Sequence, residues 1–197
     1  MSASRDGITG VVLAGGLGRR MGGVDKGLAE FRGRTMVEWV LERLRPQVDE
    51  LIINANRNGE RYAAFGYPVF ADEIEGFAGP LAGLHAALSR ASHPLVATAP
   101  CDSPFLPADL VVRLHTALAA AGAELAVART FDQPHPVFCL CRRDVLPHLE
   151  AFLAAGGRKV DRWYATLKIV EVRFDDEEEA FRNINTADEL RNLSAQG

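Results

Sequence analysis

Residues 8–27, Ile-Thr-Gly-Val-Val-Leu-Ala-Gly-Gly-Leu-Gly-Arg-Arg-Met-Gly-Gly-Val-Asp-Lys-Gly, limit what this chain can fold into more than any other stretch. An apolar run over 10–14 leads straight into a loop that carries Gly15, Gly16, Gly18, Gly22 and Gly23, interleaved with Arg19, Arg20 and Lys26. Glycines let backbone N–H groups close around phosphate oxygens, and the cations offset the charge gathered there. A buried strand that ends in such a loop belongs to an open α/β sheet, whose ligands sit beyond the carboxyl ends of its strands. The expected ligand is a nucleoside triphosphate.

Two common glycine loops are excluded by spacing. A P-loop needs lysine directly after glycine and before serine or threonine, whereas Lys26 follows Asp25 and precedes Gly27. The dinucleotide fingerprint starts at Gly16 and Gly18 but meets Met21 where its third glycine belongs, and Glu38, the acid at the expected distance, falls in a predicted helix. What remains is Leu-Ala-Gly-Gly-x-Gly-x-Arg-Met-Gly followed by Asp-Lys, over 13–26, which resembles the signature of the nucleotidyltransferases; that resemblance implies transfer of a nucleoside monophosphate from a triphosphate to a phosphate. A flexible linker is a poor alternative, since linkers combine glycine with serine and do not concentrate cations.

At 197 residues, with 48% hydrophobic and 24% charged residues, the chain suits one domain with a substantial core. A net charge of −4 argues against a general nucleic-acid binder, so the basic loop is aimed at a small anion. No apolar stretch is long enough for a membrane span and the amino terminus lacks a signal-peptide core, so a cytoplasmic protein without membrane contact is expected. Cys101, Cys139 and Cys141 have neither disulfide nor metal spacing; Cys139 and Cys141 alternate with Phe138 and Leu140 and are read as one face of a buried strand. No long apolar stripe on a polar helix demands a partner, which favours a monomer.

Strand and helix signals alternate, the pattern of a three-layer α/β fold with a mainly parallel sheet. Strands are predicted over 8–13, 51–55, 68–71, 95–99, 125–128, 136–141 and 169–174. Helices are predicted from Met36 to a stop at Pro46, from Pro80, over 108–121 and over 145–155. The acidic run 175–179 reads as a solvated turn. Nothing marks a domain boundary, so residues 1–197 are taken as a single domain.

Loops just past the predicted strands carry the remaining chemistry: Asn54-Ala55-Asn56-Arg57, Ala71-Asp72, Gly79-Pro80-Leu81-Ala82-Gly83 and Pro100-Cys101-Asp102-Ser103-Pro104. Asp102, set between two prolines at a strand end, is the candidate Mg²⁺ ligand, because that ion takes one or two protein carboxylates together with phosphates and water. Capping of the 108–121 helix suits Asp102 less well, since Pro107 and Asp109 mark that start. Lys26 and Arg19 are the candidate catalytic cations for the triphosphate, and Asn54 and Asp72 offer directional hydrogen bonds to base or ribose. Arg158 and Lys159 could meet the phosphate of an acceptor. Thr186, three residues before Glu189, reads as a helix cap. His85, His93, His115 and His148 need no catalytic role, and neither a Ser-His-Asp nor a zinc pattern appears.

In this order and spacing, the glycine loop, Asn-Ala-Asn-Arg, Gly-Pro-Leu-Ala-Gly, Pro-Cys-Asp-x-Pro and Asn-Ile-Asn-Thr resemble the molybdenum cofactor guanylyltransferases over 9–193. The resemblance implies a Rossmann-like nucleotidyltransferase fold whose amino-terminal half binds GTP and whose carboxyl-terminal half binds molybdopterin. GTP contacts would come from Leu13, Ala14, Gly15, Gly16, Gly18, Lys26, Asn54, Asp72 and Asp102, with Mg²⁺ on Asp102. The acceptor side would use Gly83, Arg158, Asn183 and Asn185. Relatives that transfer CMP tend to read Leu-Ala-Ala-Gly where this chain has Leu13-Ala14-Gly15-Gly16, so Gly15 matches the guanine type. Ser103 stands where threonine is common. Transient contacts with cofactor-biosynthesis proteins and apo-molybdoenzymes are implied as well. The rival activities are a cytidylyltransferase for the same pterin and a sugar-phosphate nucleotidyltransferase. A nucleotide-binding regulator without turnover is the non-enzymatic alternative.

Overall fold

The apolar run ahead of the glycine loop is strand β1 (Ile8–Leu13), and the rest of the sheet is built around it. The structure, a computed structural model, describes residues 7–15, 25–74, 79–182 and 184. Along these residues follow β2 (Glu30–Phe31), β3 (Arg34–Thr35), α1 (Met36–Leu44), β4 (Glu50–Asn54), α2 (Gly59–Ala63), β5 (Val69–Phe70) and α3 (Pro80–Arg90). The second half holds β6 (Leu95–Pro100), α4 (Leu110–Ala121), β7 (Leu125–Thr130), β8 (Gln133–Arg142), α5 (Leu146–Ala154), α6 (Val160–Tyr164) and β9 (Ile169–Arg173). One sheet spans both halves in the order β5-β4-β1-β6-β8-β7-β9, and β8 alone in it runs antiparallel to its neighbours.

Alternation along the strands splits the core into two layers, because successive side chains leave opposite faces of a sheet. Ile8 and Val12 face α1 and α4 together with Ile53, Ala97, Ala99 and Leu140, whereas Val11, Ile52, Val96, Cys139 and Cys141 face α3, α5 and α6. Each fully buried leucine, isoleucine or valine in these layers contributes about 1.5–3 kcal/mol relative to exposure. The expected three-layer α/β architecture is thus present, and both strand cysteines share one apolar face.

The boundaries differ in instructive ways. β6 runs through Pro100, which pairs in register with Leu13 at the strand end, where a missing N–H is tolerated. The predicted 108–121 helix begins only at Leu110, and the predicted 145–155 helix is preceded by a 3-10 turn over Arg143–Val145. β8 is longer than 136–141 and carries a bulge: Val127 pairs with Cys139, but Ala128 pairs with His135. The acidic run is more than a solvated turn. Over Asp175–Phe181 it forms short 3-10 turns kinked at Glu177, in which Asp176 accepts from both terminal nitrogens of Arg113 at 3.0 Å and Asp175 accepts from the Phe131 N–H at 2.5 Å.

Glu38 sits three residues into α1, where its carboxylate accepts from the Thr35 N–H and hydroxyl, both at 2.8 Å. This capping box accounts for the residue that a dinucleotide site would have needed at a strand end. Of the two tryptophans, Trp163 is fully buried among α3, α5 and α6 and donates to His148 Nδ1 at 3.1 Å; Trp39 is half-buried beside Phe31 and donates to its carbonyl at 2.9 Å.

Candidate active site

β5, β4, β1 and β6 are mutually parallel, so their carboxyl ends meet at one edge. The ladder continues past the strands: the Ala14 N–H donates to the Asn54 carbonyl at 2.7 Å and the Cys101 N–H to the Leu13 carbonyl at 3.1 Å. These bonds hold Leu13, Ala14 and Gly15 between the segments that carry Asn54 and Asp102, as the sequence led one to expect. Asn54 and Asn56 are two residues apart at the end of an extended strand and face the same way. Asn54 donates to one oxygen of Asp72 at 2.9 Å and Asn56 to the other at 2.8 Å, while the Asp72 N–H returns a 2.8 Å bond to Asn56 Oδ1.

Small residues make this cluster possible. A Cβ on Gly15 would lie 2.9 Å from Asn56 Nδ2 and 3.2 Å from Asn54 Oδ1. Gly83, in α3, is buried against the same amide; a Cβ there would lie 3.1 Å from Asn54 Oδ1. The structure therefore sets Gly83 behind Asn54, where it gives clearance to the Asn54–Asn56–Asp72 cluster.

The second half of the site is the Lys26–Asp102 pair, with Nζ and Oδ2 3.4 Å apart. Asp102 is 9% exposed. Burial raises its carboxyl pKa above the ordinary value, and the Lys26 ammonium only partly opposes that rise. Lys26 opens a 3-10 turn, and the residue before it is clamped: Asp25 accepts from the Tyr62 hydroxyl at 2.5 Å and from Asn58 Nδ2 at 2.9 Å. Tyr62 is wholly buried, and burial pushes its phenol up, so it stays a donor. It approaches so closely that a Cβ on Gly27 would lie 2.5 Å from its oxygen. Asp25, Asn58 and Tyr62 were not picked out from sequence; the only signal was the fixed Asp-Lys pair.

The carboxyl-terminal half reaches this edge through Ile184, whose N–H donates to the Asp102 carbonyl at 3.1 Å while its side chain packs on Phe31 and Met36. Asn183 and Asn185, on either side of it, lie outside the described residues, as do Gly16, Gly18 and Arg19. Arg158 caps α5, donating to the carbonyls of Leu153 at 3.1 Å and Gly157 at 2.7 Å. His135, beside the bulge, bonds Thr130 at 2.8 Å and stacks on Phe181 with centroids 4.7 Å apart; burial lowers its pKa, which keeps the ring neutral. A groove of about 690 Å³ opens at the opposite edge of the sheet, between Leu95 and Arg142, remote from these strand ends.

No group of three or more His, Cys, Asp or Glu side chains capable of holding a metal exists among the described residues. A lone buried carboxylate facing a lysine suits a hard cation that draws its other ligands from phosphates and water. It does not suit zinc or a cation held in an all-protein cage. Nor is any helix of the described residues long and apolar enough to cross a membrane.

Comparison with known proteins shows the family and the fold. The family described as a MobA-like NTP transferase domain matches residues 10–170. A molybdenum cofactor guanylyltransferase of Cupriavidus taiwanensis is 53% identical over 193 residues, covering 95% of this chain and 96% of that protein. One from a Shewanella species (strain MR-4) is 47% identical over 189 residues, covering 96% of each. The crystal structure of molybdopterin-guanine dinucleotide biosynthesis protein A from Archaeoglobus fulgidus superposes with a TM-score of 0.80 at 26% identity, covering 95% of this chain and 97% of that one.

Proposed function

Because the chain belongs to the MobA-like NTP transferase family and its relatives are guanylyltransferases, we propose that it transfers GMP from GTP to the terminal phosphate of molybdopterin. A phosphate oxygen of the pterin attacks the α-phosphorus of GTP. The bond from that phosphorus to the bridging oxygen breaks, and its electron pair leaves with pyrophosphate. The nucleophile is already anionic, so no side chain has to remove a proton. The observation that carries the reading is the meeting, at one sheet edge, of the Asn54–Asn56–Asp72 polar cluster and the Lys26–Asp102 cation–carboxylate pair.

Each residue has a distinct task in this scheme. Asn54 and Asp72 bind the nucleoside, and Gly15 leaves room for the Asn54 and Asn56 amides that orient the Asp72 carboxylate. Lys26 faces the phosphates, with Asp25 held by Tyr62 and Asn58 to fix its backbone. Asp102 would hold Mg²⁺, and the ion when bound would supply positive charge against that developing on the α-phosphate and the leaving group. Arg19 adds a second cation, and Arg158, Asn183 and Asn185 serve the acceptor. Rate enhancement then comes from positioning and electrostatics. The reaction is assigned to the cytoplasm and to a monomer that meets cofactor-biosynthesis proteins and apo-molybdoenzymes only transiently.

Purified protein incubated with molybdopterin, Mg²⁺ and each of GTP, CTP, ATP and UTP tests the proposal through pyrophosphate release and detection of the dinucleotide. GTP-dependent product that disappears with a chelator is the expected result. Preference for CTP, or product formed from a sugar phosphate instead of the pterin, would replace the reading with one of its rivals.

A further inference from the structure

Asn56 occupies a place that the reaction scheme leaves unused. Its side-chain amide makes three contacts at once: Nδ2 donates to Asp72 Oδ2 at 2.8 Å and to the Gly15 carbonyl at 3.3 Å, and Oδ1 accepts from the Asp72 N–H at 2.8 Å. It therefore ties the end of β1 to the segment after β5, two stretches held apart by β4. Asp72 is gripped from both sides, one oxygen by Asn54, which is 1% exposed, and the other by Asn56, which is exposed. The buried amide cannot move without disturbing the core, whereas the outer one, among the described residues, is fixed by these polar bonds.

We infer that Asn56 is a positioning residue for the nucleoside, holding the Asp72 carboxylate and the Gly15 carbonyl in one arrangement at the carboxyl-end edge of the parallel strands. A carboxylate with both oxygens anchored cannot rotate, so its remaining lone pairs point along fixed directions. Ligand hydrogen bonds then form without first freezing a side chain. Asn56 touches neither Lys26 nor Asp102 in this arrangement, so it governs nucleotide affinity and leaves the phosphoryl step alone. Only an amide fits: it must donate to a carboxylate and accept from a backbone N–H in the same plane. This inference rests on the proposed binding of GTP at this edge.

Calorimetric binding of GTP to the full chain, with Mg²⁺ and with steady-state kinetics alongside, tests it in three variants. Asn56→Ala is expected to weaken GTP binding about tenfold and to raise KM with kcat nearly unchanged, as fits the loss of one or two net hydrogen bonds. Asn56→Ser, which keeps a donor, is expected to fall between it and the parent. Asn56→Asp is the discriminating variant. Two carboxylates would face each other across the former 2.8 Å contact, so its affinity relative to the parent should be about a hundredfold lower at pH 8 and recover as the pH falls to 5 and one shared proton restores the bond. The inference is overturned if Asn56→Asp binds like the parent at pH 8, if its deficit does not change with pH, or if Asn56→Ala lowers kcat and spares KM. A parent protein that binds GTP poorly but another nucleotide well would refute the parent reading instead, and the same variants measured with that nucleotide would then decide the role of Asn56.

Discussion

Changing Asp102 to asparagine keeps the shape of the side chain and removes its charge, which separates its effect on folding from its effect on turnover. The 3.4 Å contact with Lys26 is an attraction of roughly 5 kcal/mol at an effective dielectric constant of about 20. Burial of the carboxylate opposes it by an amount of similar size. The direction of the Asp102 pKa decides between them: it is raised, so burial wins and the charged form is disfavoured in the folded protein. The folded state then holds the proton more tightly than the unfolded chain. The stability contributed by this group is complete below the ordinary carboxyl pKa of 3.8 and is lost as pH rises through the raised value. Asparagine mimics the neutral form at every pH. Asp102→Asn should therefore melt at or above the parent at pH 7, by about 1 kcal/mol or about 2–4 °C for a chain of this size, with the difference vanishing toward pH 4. Turnover should fall by about 10²–10³, the effect of removing one group that stabilises a charged transition state. Thermal melts at pH 7, 5.5 and 4, with pyrophosphate release at saturating GTP, measure both. A variant that melts several degrees lower at pH 7 would show the pair to be net stabilising and refute the balance drawn here. Undiminished turnover would remove the carboxylate from the chemistry.

Two further substitutions probe the lysine and its clamp. Lys26→Ala should lower kcat/KM for GTP about 10–100-fold, as expected when a charge-assisted contact worth about 1.5–3 kcal/mol is lost; unchanged GTP titrations would exclude the lysine from the site. Gly27→Ala drives a Cβ to 2.5 Å from the buried Tyr62 oxygen and should cost about 1–3 kcal/mol in urea melts. Adding Tyr62→Phe should return part of that loss, and strict additivity would disprove the clash.

The parallel half of the sheet was legible because each of its strands is a short apolar run that stops at a polar or glycine-rich loop. Asn54, Asp72 and Asp102 could be named because they stand at those stops. The short elements escaped notice for a physical reason. β2, β3, α2 and α6 span 2 to 5 residues each, too few for any period to show. The turn between β2 and β3 also puts Arg32 at φ 50°, a conformation its side chain does not advertise. Tyr62 lies on one of these short helices, so its bond to Asp25 could not be inferred from the chain. Asn56 was visible in its motif, but its three contacts depend on β1 and β5 flanking β4, which is a property of the topology. The antiparallel direction of β8 also lay beyond the alternation pattern, which is the same for either sense.

The two tryptophans lie on opposite faces of the sheet and differ in their exposure. Trp39, half-buried and bonded to the β2–β3 ribbon at Phe31, should emit at longer wavelength than Trp163, which is sealed in the other layer. Exchanging either for phenylalanine leaves a chain whose fluorescence reports one side alone. Loosening of either layer could then be followed by itself in the same molecule without attaching a dye.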